Sequence, residues 1–324
     1  MKTTWTSLAA ALVAALPLAF AAHSAAAEDT LKVAMGQINN WENQPPTLGQ
    51  DAGFFKKHGL TLEVVGTAGA GETIQAVISG SADIGGGAGA AGVMRAFSKG
   101  APIRILAPAF TGTSDLYWYV KADSKLQSLK DTTPDNTIAY STNGSSSHNI
   151  VVAFGEELGS KAKPVATGSP PGTLTAVMSG QVDIGWAAPP FGLRELKEGK
   201  IRILARGNEV PSLRGQTVRV LIVNLNAWNT KRDAILRFME AYREAADWMY
   251  DDPKAVEMYS KKINQPVDVL KESMEKFQPR ETIQSDKFAD LDGAVRDAVK
   301  LKFLDKPLTK EQLSELIVTP PRKK

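Results

Sequence analysis

The 324-residue sequence predicts an α/β fold of two similar lobes. Three observations carry that prediction. Strand-like and helix-like runs alternate, the pattern of parallel sheets with crossover helices. Thr67–Gly85 recurs without gaps as Thr167–Gly185, and Ile103–Ala107 recurs as Ile201–Ala205. Two apolar runs, Asp115–Val120 and Val218–Val223, follow the two copies and read as strands crossing between lobes. A period this long marks a duplicated lobe, since solenoid repeats are about 20–50 residues. If both runs cross, one lobe combines 28–116 with 218–324 and the other spans 117–217.

Residues 1–27 stand outside the fold prediction. Lys2, the apolar run Leu8–Ala22 and the small residues Ala25–Ala27 before Glu28 have the layout of a cleavable export signal. Its loss takes the formal charge from +3 to +2 with Lys2, too near neutrality to imply a nucleic-acid or membrane partner. No later run approaches the roughly 20 apolar residues of a membrane span. The basic cluster Arg322–Lys324 is expected to be a frayed tail. There is no cysteine, which excludes thiol catalysis, thiolate metal sites and lipidation through an N-terminal Cys. A free periplasmic protein is the expectation.

After the export signal the elements come in order. Leu31–Met35 is a strand and Gly36–Pro46 a loop. Leu48–His58 has helical spacing, with Gly59 as its C-cap. Leu60–Val65 is a second strand. In the repeat, Ile74, Val77 and Ile78 share one helix face, as do Leu174, Val177 and Met178. Gly80 and Gly180 end those helices, and Ala82–Gly85 and Val182–Gly185 are short buried strands. Thr137–Tyr140 leads into the helix Ile150–Leu158. Thr230–Tyr250 carries a broad apolar stripe, with Thr230 as N-cap. Further helices are expected over Pro253–Lys262, Val267–Phe277, Lys287–Leu301 and Thr309–Leu316.

Three features are candidates for chemistry. Gly87-Ala88-Gly89-Ala90-Ala91-Gly92 fits a dinucleotide-binding pattern. It lacks the context of a first βαβ unit, and its repeat copy reads Trp186-Ala187-Ala188-Pro189-Pro190-Phe191. A cleft wall whose backbone closely approaches a ligand is the better reading. Ser141-Thr142-Asn143-Gly144-Ser145-Ser146-Ser147-His148 gathers hydroxyls and backbone N–H groups at a helix start, which suits a sulfonate, carboxylate or similar anion. Ordinary capping needs only one such residue. Trp41 and Trp186 lie at the C-terminal ends of strands, where open sheets bind ligands, although large aromatics serve cores as well. Asp83 and Asp183 read as structural groups that accept neighbouring N–H bonds. His58 and His148 are far apart in sequence and lack nearby carboxylates, so neither a metal site nor a catalytic pair is expected. Adjacent helix residues such as Ser147 and His148 do not face each other, and no G-x-S-x-G elbow exists. No cofactor is expected.

Gly49-Gln50-Asp51-Ala52-Gly53-Phe54-Phe55-Lys56-Lys57-His58-Gly59-Leu60 resembles the signature of the nitrate/sulfonate/taurine type of ABC-transporter solute-binding proteins, whose relatives bind thiamine precursors. Ala76–Gly85, Val177–Gly185 and Phe238–Trp248 resemble later segments of the same group, in family order. The resemblance implies a type II periplasmic-binding-protein fold. It implies ligand contacts at Gln37, Asn40 and Trp41, at Gly87 and Ala88, at Ser145, Ser146, Ser147 and His148, and at the turn from Trp186 to Pro190. Asn143 joins them from the serine-rich loop. It also implies a monomer that captures a small organic anion and docks on an inner-membrane permease. The ATPase would be a separate subunit, because this chain lacks the P-loop pattern. Arg206 and Arg214, in or beside second-lobe loops, could add charge-assisted hydrogen bonds to the anion, although surface solvation is the better reading. The alternatives are a neutral or aromatic ligand such as a pyrimidine stacked on Trp41 or Trp186, and an enzyme on the same scaffold.

Overall fold

A computed structural model of the protein describes Met1 and residues 28–323. The export signal read at residues 1–27 lies, from residue 2 on, outside the described residues.

The chain begins β1 (Asp29–Gly36), α1 (Pro45–Asp51), α2 (Phe54–Lys57), β2 (Leu60–Thr67), α3 (Ala70–Ile78), β3 (Ile84–Gly89), α4 (Ala90–Ser98) and β4 (Ile103–Thr111). It continues β5 (Tyr117–Lys121), β6 (Thr137–Tyr140), α5 (Ser146–Leu158), β7 (Lys163–Ala166), α6 (Pro170–Met178), β8 (Gly185–Ala187), α7 (Leu193–Lys197) and β9 (Ile201–Arg206). It closes β10 (Thr217–Asn224), α8 (Leu225–Thr230), α9 (Arg232–Asp251), α10 (Pro253–Ile263), α11 (Val267–Phe277), α12 (Leu291–Lys300) and α13 (Lys310–Leu316).

Two sheets form. The first has the order β2-β1-β3-β10-β4, with β10 antiparallel to its neighbours. The second combines the antiparallel set β8-β5-β9 with the parallel pair β6-β7, joined by a parallel bridge between Ile138 and Ile184. Strand for strand the second repeats the first: β7, β6, β8, β5 and β9 stand where β2, β1, β3, β10 and β4 stand.

The repeat seen in sequence persists at atomic level. Thr67 Oγ1 lies 2.7 Å from Thr73 Oγ1, and Thr167 Oγ1 lies 2.5 Å from Thr173 Oγ1. Asp83 accepts the Lys32 N–H at 2.9 Å, and Asp183 accepts the Thr137 N–H at 2.8 Å. Each aspartate therefore ties its own strand to the first strand of its lobe. Gly80 and Gly180 end α3 and α6 with φ of 76° and 79°, a conformation that favours glycine.

Several expectations need correction. β5 and β10 each lie wholly within one sheet, and the chain crosses between lobes in the connectors 112–116 and 207–216. A strand satisfies its backbone ladder in a single sheet, so the bends fall in turn residues such as Gly112, at φ 81°. The connectors run side by side: Gly112 N donates to Gln216 O at 2.7 Å and Gly207 N to Leu116 O at 2.8 Å. Leu48–His58 is not one helix, because Gly53 takes φ 87° and separates α1 from α2. Thr230 ends α8 and does not cap α9. The C-terminal end is pinned in place. Arg322 pairs with Asp247 at 2.8 Å and Asp286 at 3.1 Å, and Lys323 pairs with Glu240.

The C-terminal helices pack on the first lobe. Trp41, Leu48, Met249, Val256, Tyr259 and Leu270 form one apolar cluster there. Among the described residues no helix is long and apolar enough to cross a membrane.

Candidate functional site

The two lobes meet around a small cavity of about 30 Å³. One wall comes from the first lobe: Gly36, Gln37, Asn40, Glu42 and Asn43 after β1, Gly87 in β3 and Arg219 in β10. The facing wall comes from the second lobe: Ser141, Ser145, Ser146 and Ser147 at the start of α5, and Trp186 in β8. The space suits water and not an organic solute. Any larger molecule requires the lobes to part.

The second-lobe wall is built by capping. Ser145 is the N-cap of α5, and its Oγ accepts the His148 N–H at 3.1 Å. Ser147 Oγ accepts the Ser141 N–H at 3.0 Å and lies 2.9 Å from Ser145 Oγ. Only one serine is needed to cap the helix. Ser147 ties the loop after β6 to it, and Ser146 turns across the seam.

The first-lobe wall holds a buried charge cluster. Arg219 is 5% exposed and lies over the Phe110 ring at 4.2 Å. Its Nη2 meets Asp115 Oδ2 at 2.6 Å and stands 3.9 Å from Glu42 Oε1, while Nη1 donates to Ser146 Oγ at 3.3 Å. Glu42 also accepts from Gln278 Nε2 at 2.7 Å and from Asn40 Nδ2 at 3.3 Å. Burial pushes the Glu42 carboxyl up to about 7 against the pull of Arg219, and Asp115 adds to the rise. Burial likewise raises Asp115 despite its bond to Arg219. Two buried acids thus face one arginine, and burial pushes both toward holding a proton. Asn40 Oδ1 and Trp186 Nε1, both buried in the cavity wall, have no hydrogen-bond partner among the described residues.

The residues singled out in sequence divide. Gln37, Asn40, Gly87, Ser145, Ser146, Ser147 and Trp186 line the cavity. Trp41 does not: it packs against Tyr259 at 5.1 Å and Tyr250 at 5.8 Å. Ala88 is inside β3 and fully buried in the core. His148 stacks on Tyr140 at 4.3 Å and accepts the Gly144 N–H at 3.3 Å, and burial and Arg95 lower its pKa. Asn143 Oδ1 accepts from Tyr140 at 2.7 Å and faces the outer edge of the seam. Arg206 is spent on the carbonyls of Ser114 and Lys276 and on the Phe277 ring, and Arg214 on the Asn208 carbonyl. Pro190 lines a different chamber of about 440 Å³, with Asn39, Tyr119, Leu174 and Glu195.

A family model described as NMT1/THI5 like matches residues 40–256, more than half of the sequence and both walls of the cavity. The chain belongs to the NMT1/THI5-like family. No curated protein matches it significantly in sequence. Its fold matches the alkanesulfonate-binding protein SsuA of Xanthomonas axonopodis pv. citri bound to MOPS, with TM-score 0.74 and 16% identity over 90% of this chain and 98% of that one. It also matches the CA3427 gene product of Candida albicans, described as having the generic periplasmic binding protein fold, with TM-score 0.72 and 17% identity over 91% and 98%. The nitrate-binding protein NrtA of Synechocystis PCC 6803 matches with TM-score 0.66 and 15% identity over 89% and 84%. The fold of this NMT1/THI5-like chain is therefore that of the periplasmic binding proteins.

Glu42, Asn43, Asp115 and Arg219 were not singled out from the sequence. Arg219 carried a signal, a charge inside the apolar strand Val218–Val223, since charged residues are almost never buried unpaired. Glu42, beside Trp41 in a polar loop, carried none.

Proposed function

We propose that this protein is the solute-binding component of an ABC importer, exported to the periplasm by residues 1–27 and working as a monomer. Lobes of 28–116 with 218–324, and of 117–217, close on a small organic anion, sulfonate- or carboxylate-like. The loaded form docks on an inner-membrane permease served by a separate ATPase. The observation that carries this reading is the start of α5, where Ser145 caps the helix and Ser146 meets Arg219 across the seam. A helix N-terminus favours anionic groups, by about 0.3–1 kcal/mol when exposed and up to about 2 when partly buried. Trp186 Nε1 offers another donor. In this reading the protein binds solute without catalysis, and His148, the histidine next to the serines, is stacked on Tyr140.

A second reading has one observation in its favour. Glu42 and Asp115 outnumber Arg219, so the cluster is net negative whenever both acids are ionised. That wall suits a neutral or aromatic ligand with hydrogen-bond donors, such as a pyrimidine. The anion reading requires Glu42 protonated, and so predicts capture that weakens as pH rises through about 7.

A thermal-shift screen of sulfonates, carboxylates, nitrate and pyrimidines at pH 6 and pH 8 separates the readings. A bound solute raises the melting temperature by mass action. The anion reading expects stabilisation by a sulfonate or carboxylate, larger at pH 6. Stabilisation by neutral compounds alone sinks it in favour of the second. Turnover of any stabilising compound sinks both.

A further inference from the structure

The Gly87-x-Gly89-x-x-Gly92 pattern has a use that the cavity does not account for. Gly89 and Gly92 face the opposite lobe's backbone. A Cβ on Gly92 would lie on the carbonyl oxygen of Gly144 and 2.8 Å from its Cα. A Cβ on Gly89 would also meet that oxygen, and would lie 2.8 Å from Ser146 N. Gly69 and Gly71, at the start of α3, repeat the arrangement. Their Cβ atoms would lie 2.9 Å from Thr142 Oγ1 and 2.9 Å from Asn143 O, respectively. The fit is bonded as well as close, since Gly71 N donates to Thr142 Oγ1 at 2.8 Å. Most of the blocking atoms are backbone, which no rotamer change moves aside.

The occupant of this glycine-lined groove is the 142–144 loop, and the next residues are the serines that cap α5. The depth at which the loop seats therefore sets the distance between the α5 start and Arg219. We propose that Gly89 and Gly92 are positioning residues, a backbone seat that the second lobe must reach before the serine wall and the Arg219 wall form one site. This rests on the reading that the seam takes the solute. The glycines are not needed by the helix itself. Gly92 is inside α4 without a positive φ, and alanine is the better helix former there. Gly92→Ala should thus leave the helix as stable or more so while blocking lobe closure, a combination that a merely structural role does not give.

The absence of cysteine makes the test direct. Spin labels on Glu63→Cys and Lys161→Cys, both exposed and one in each lobe, report the interlobe distance by pulsed electron resonance. The distribution is measured with and without excess methanesulfonate, in the otherwise native chain and in Gly92→Ala, Gly71→Ala and Gly155→Ala. Gly155 is an exposed glycine inside α5, where a Cβ would make only an ordinary contact at 3.6 Å, and serves as the control. The expected result is a short-distance population in the native chain and the control that falls at least about tenfold in Gly92→Ala, the loss of roughly 1.4 kcal/mol or more that a backbone overlap brings. Gly71→Ala loses it too, with melting temperatures undiminished. A short-distance population retained in Gly92→Ala overturns the proposal, as does a native chain that shows none under either condition. Methanesulfonate that leaves the native distribution and melting temperature unchanged counts against the anion reading alone, because the glycine effect is read without it.

Discussion

Glu42 is the residue whose chemistry most depends on the fold. A carboxyl that holds its proton to about 7 in the folded chain releases it near 4.5 in the unfolded one. Between those values the folded state binds more protons, so the contribution of Glu42 to stability is complete below about 4.5. It is lost as pH rises toward 7, by at most about 1.4 kcal/mol per pH unit. Urea unfolding at pH 5, 6, 7 and 8 should show this decline in the native protein and a flatter profile in Glu42→Gln, which keeps an acceptor for Gln278 and removes the titration. Parallel profiles would mean that the Glu42 carboxyl titrates alike in both states. Little of this was legible in the sequence. The serines at the start of α5 announce themselves as a cluster, but a buried carboxylate in a loop looks like any solvated one until Arg219, Asp115 and Gln278 arrive from 73 or more residues away.

At the scale of elements, the duplicated aspartates make a natural comparison. Asp83 accepts the Lys32 N–H and also holds the Lys231 ammonium at 2.9 Å, with its side chain 11% exposed. Asp183 accepts from the Thr137 N–H and hydroxyl at the protein surface. Removing Asp83 leaves a partly buried donor and an ammonium unpaired, whereas water replaces most of what Asp183 supplies. Asp83→Ala should cost about 1–3 kcal/mol, and Asp183→Ala about 0.5–1.5, in denaturant titrations of the two variants. Equal losses would contradict this ranking. The repeat was readable because it is local: identical threonines, helix-ending glycines and aspartates at fixed spacing. The break at Gly53 was not, because Leu48, Ala52 and Phe55 keep helical spacing across it. The turn itself rests on the left-handed backbone of Gly53, at φ 87°, and the α1 that precedes it packs so closely on α9 that a Cβ on Gly49 would lie 2.6 Å from Ala245.

For the whole molecule, two five-stranded arrangements with one strand order follow from the duplication, and the exchange of β5 and β10 between halves joins the lobes by two adjacent connectors, 112–116 and 207–216. The two-lobe architecture was legible in sequence because a hundred-residue offset leaves few other solutions. The seam was legible only in part. The serine loop, Trp186 and Gly87 line it, while Gly89 and Gly92 receive the partner lobe's backbone and Trp41 supports the C-terminal helices. Sequence periodicity reports which side of an element is buried. It does not report whether the burial is in a core, against a ligand or against the other lobe. In the proposed function one molecule of solute is held between the serine wall and the Arg219 wall. Calorimetric titration of each solute that stabilises the protein, into the native chain and into Ser146→Ala and Trp186→Phe, tests it most directly. The expected result is one solute per chain, with affinity about tenfold or more weaker in each variant, as loss of a hydrogen bond to a charged group would give. One-to-one binding of undiminished affinity in both variants would put the solute elsewhere and contradict the account.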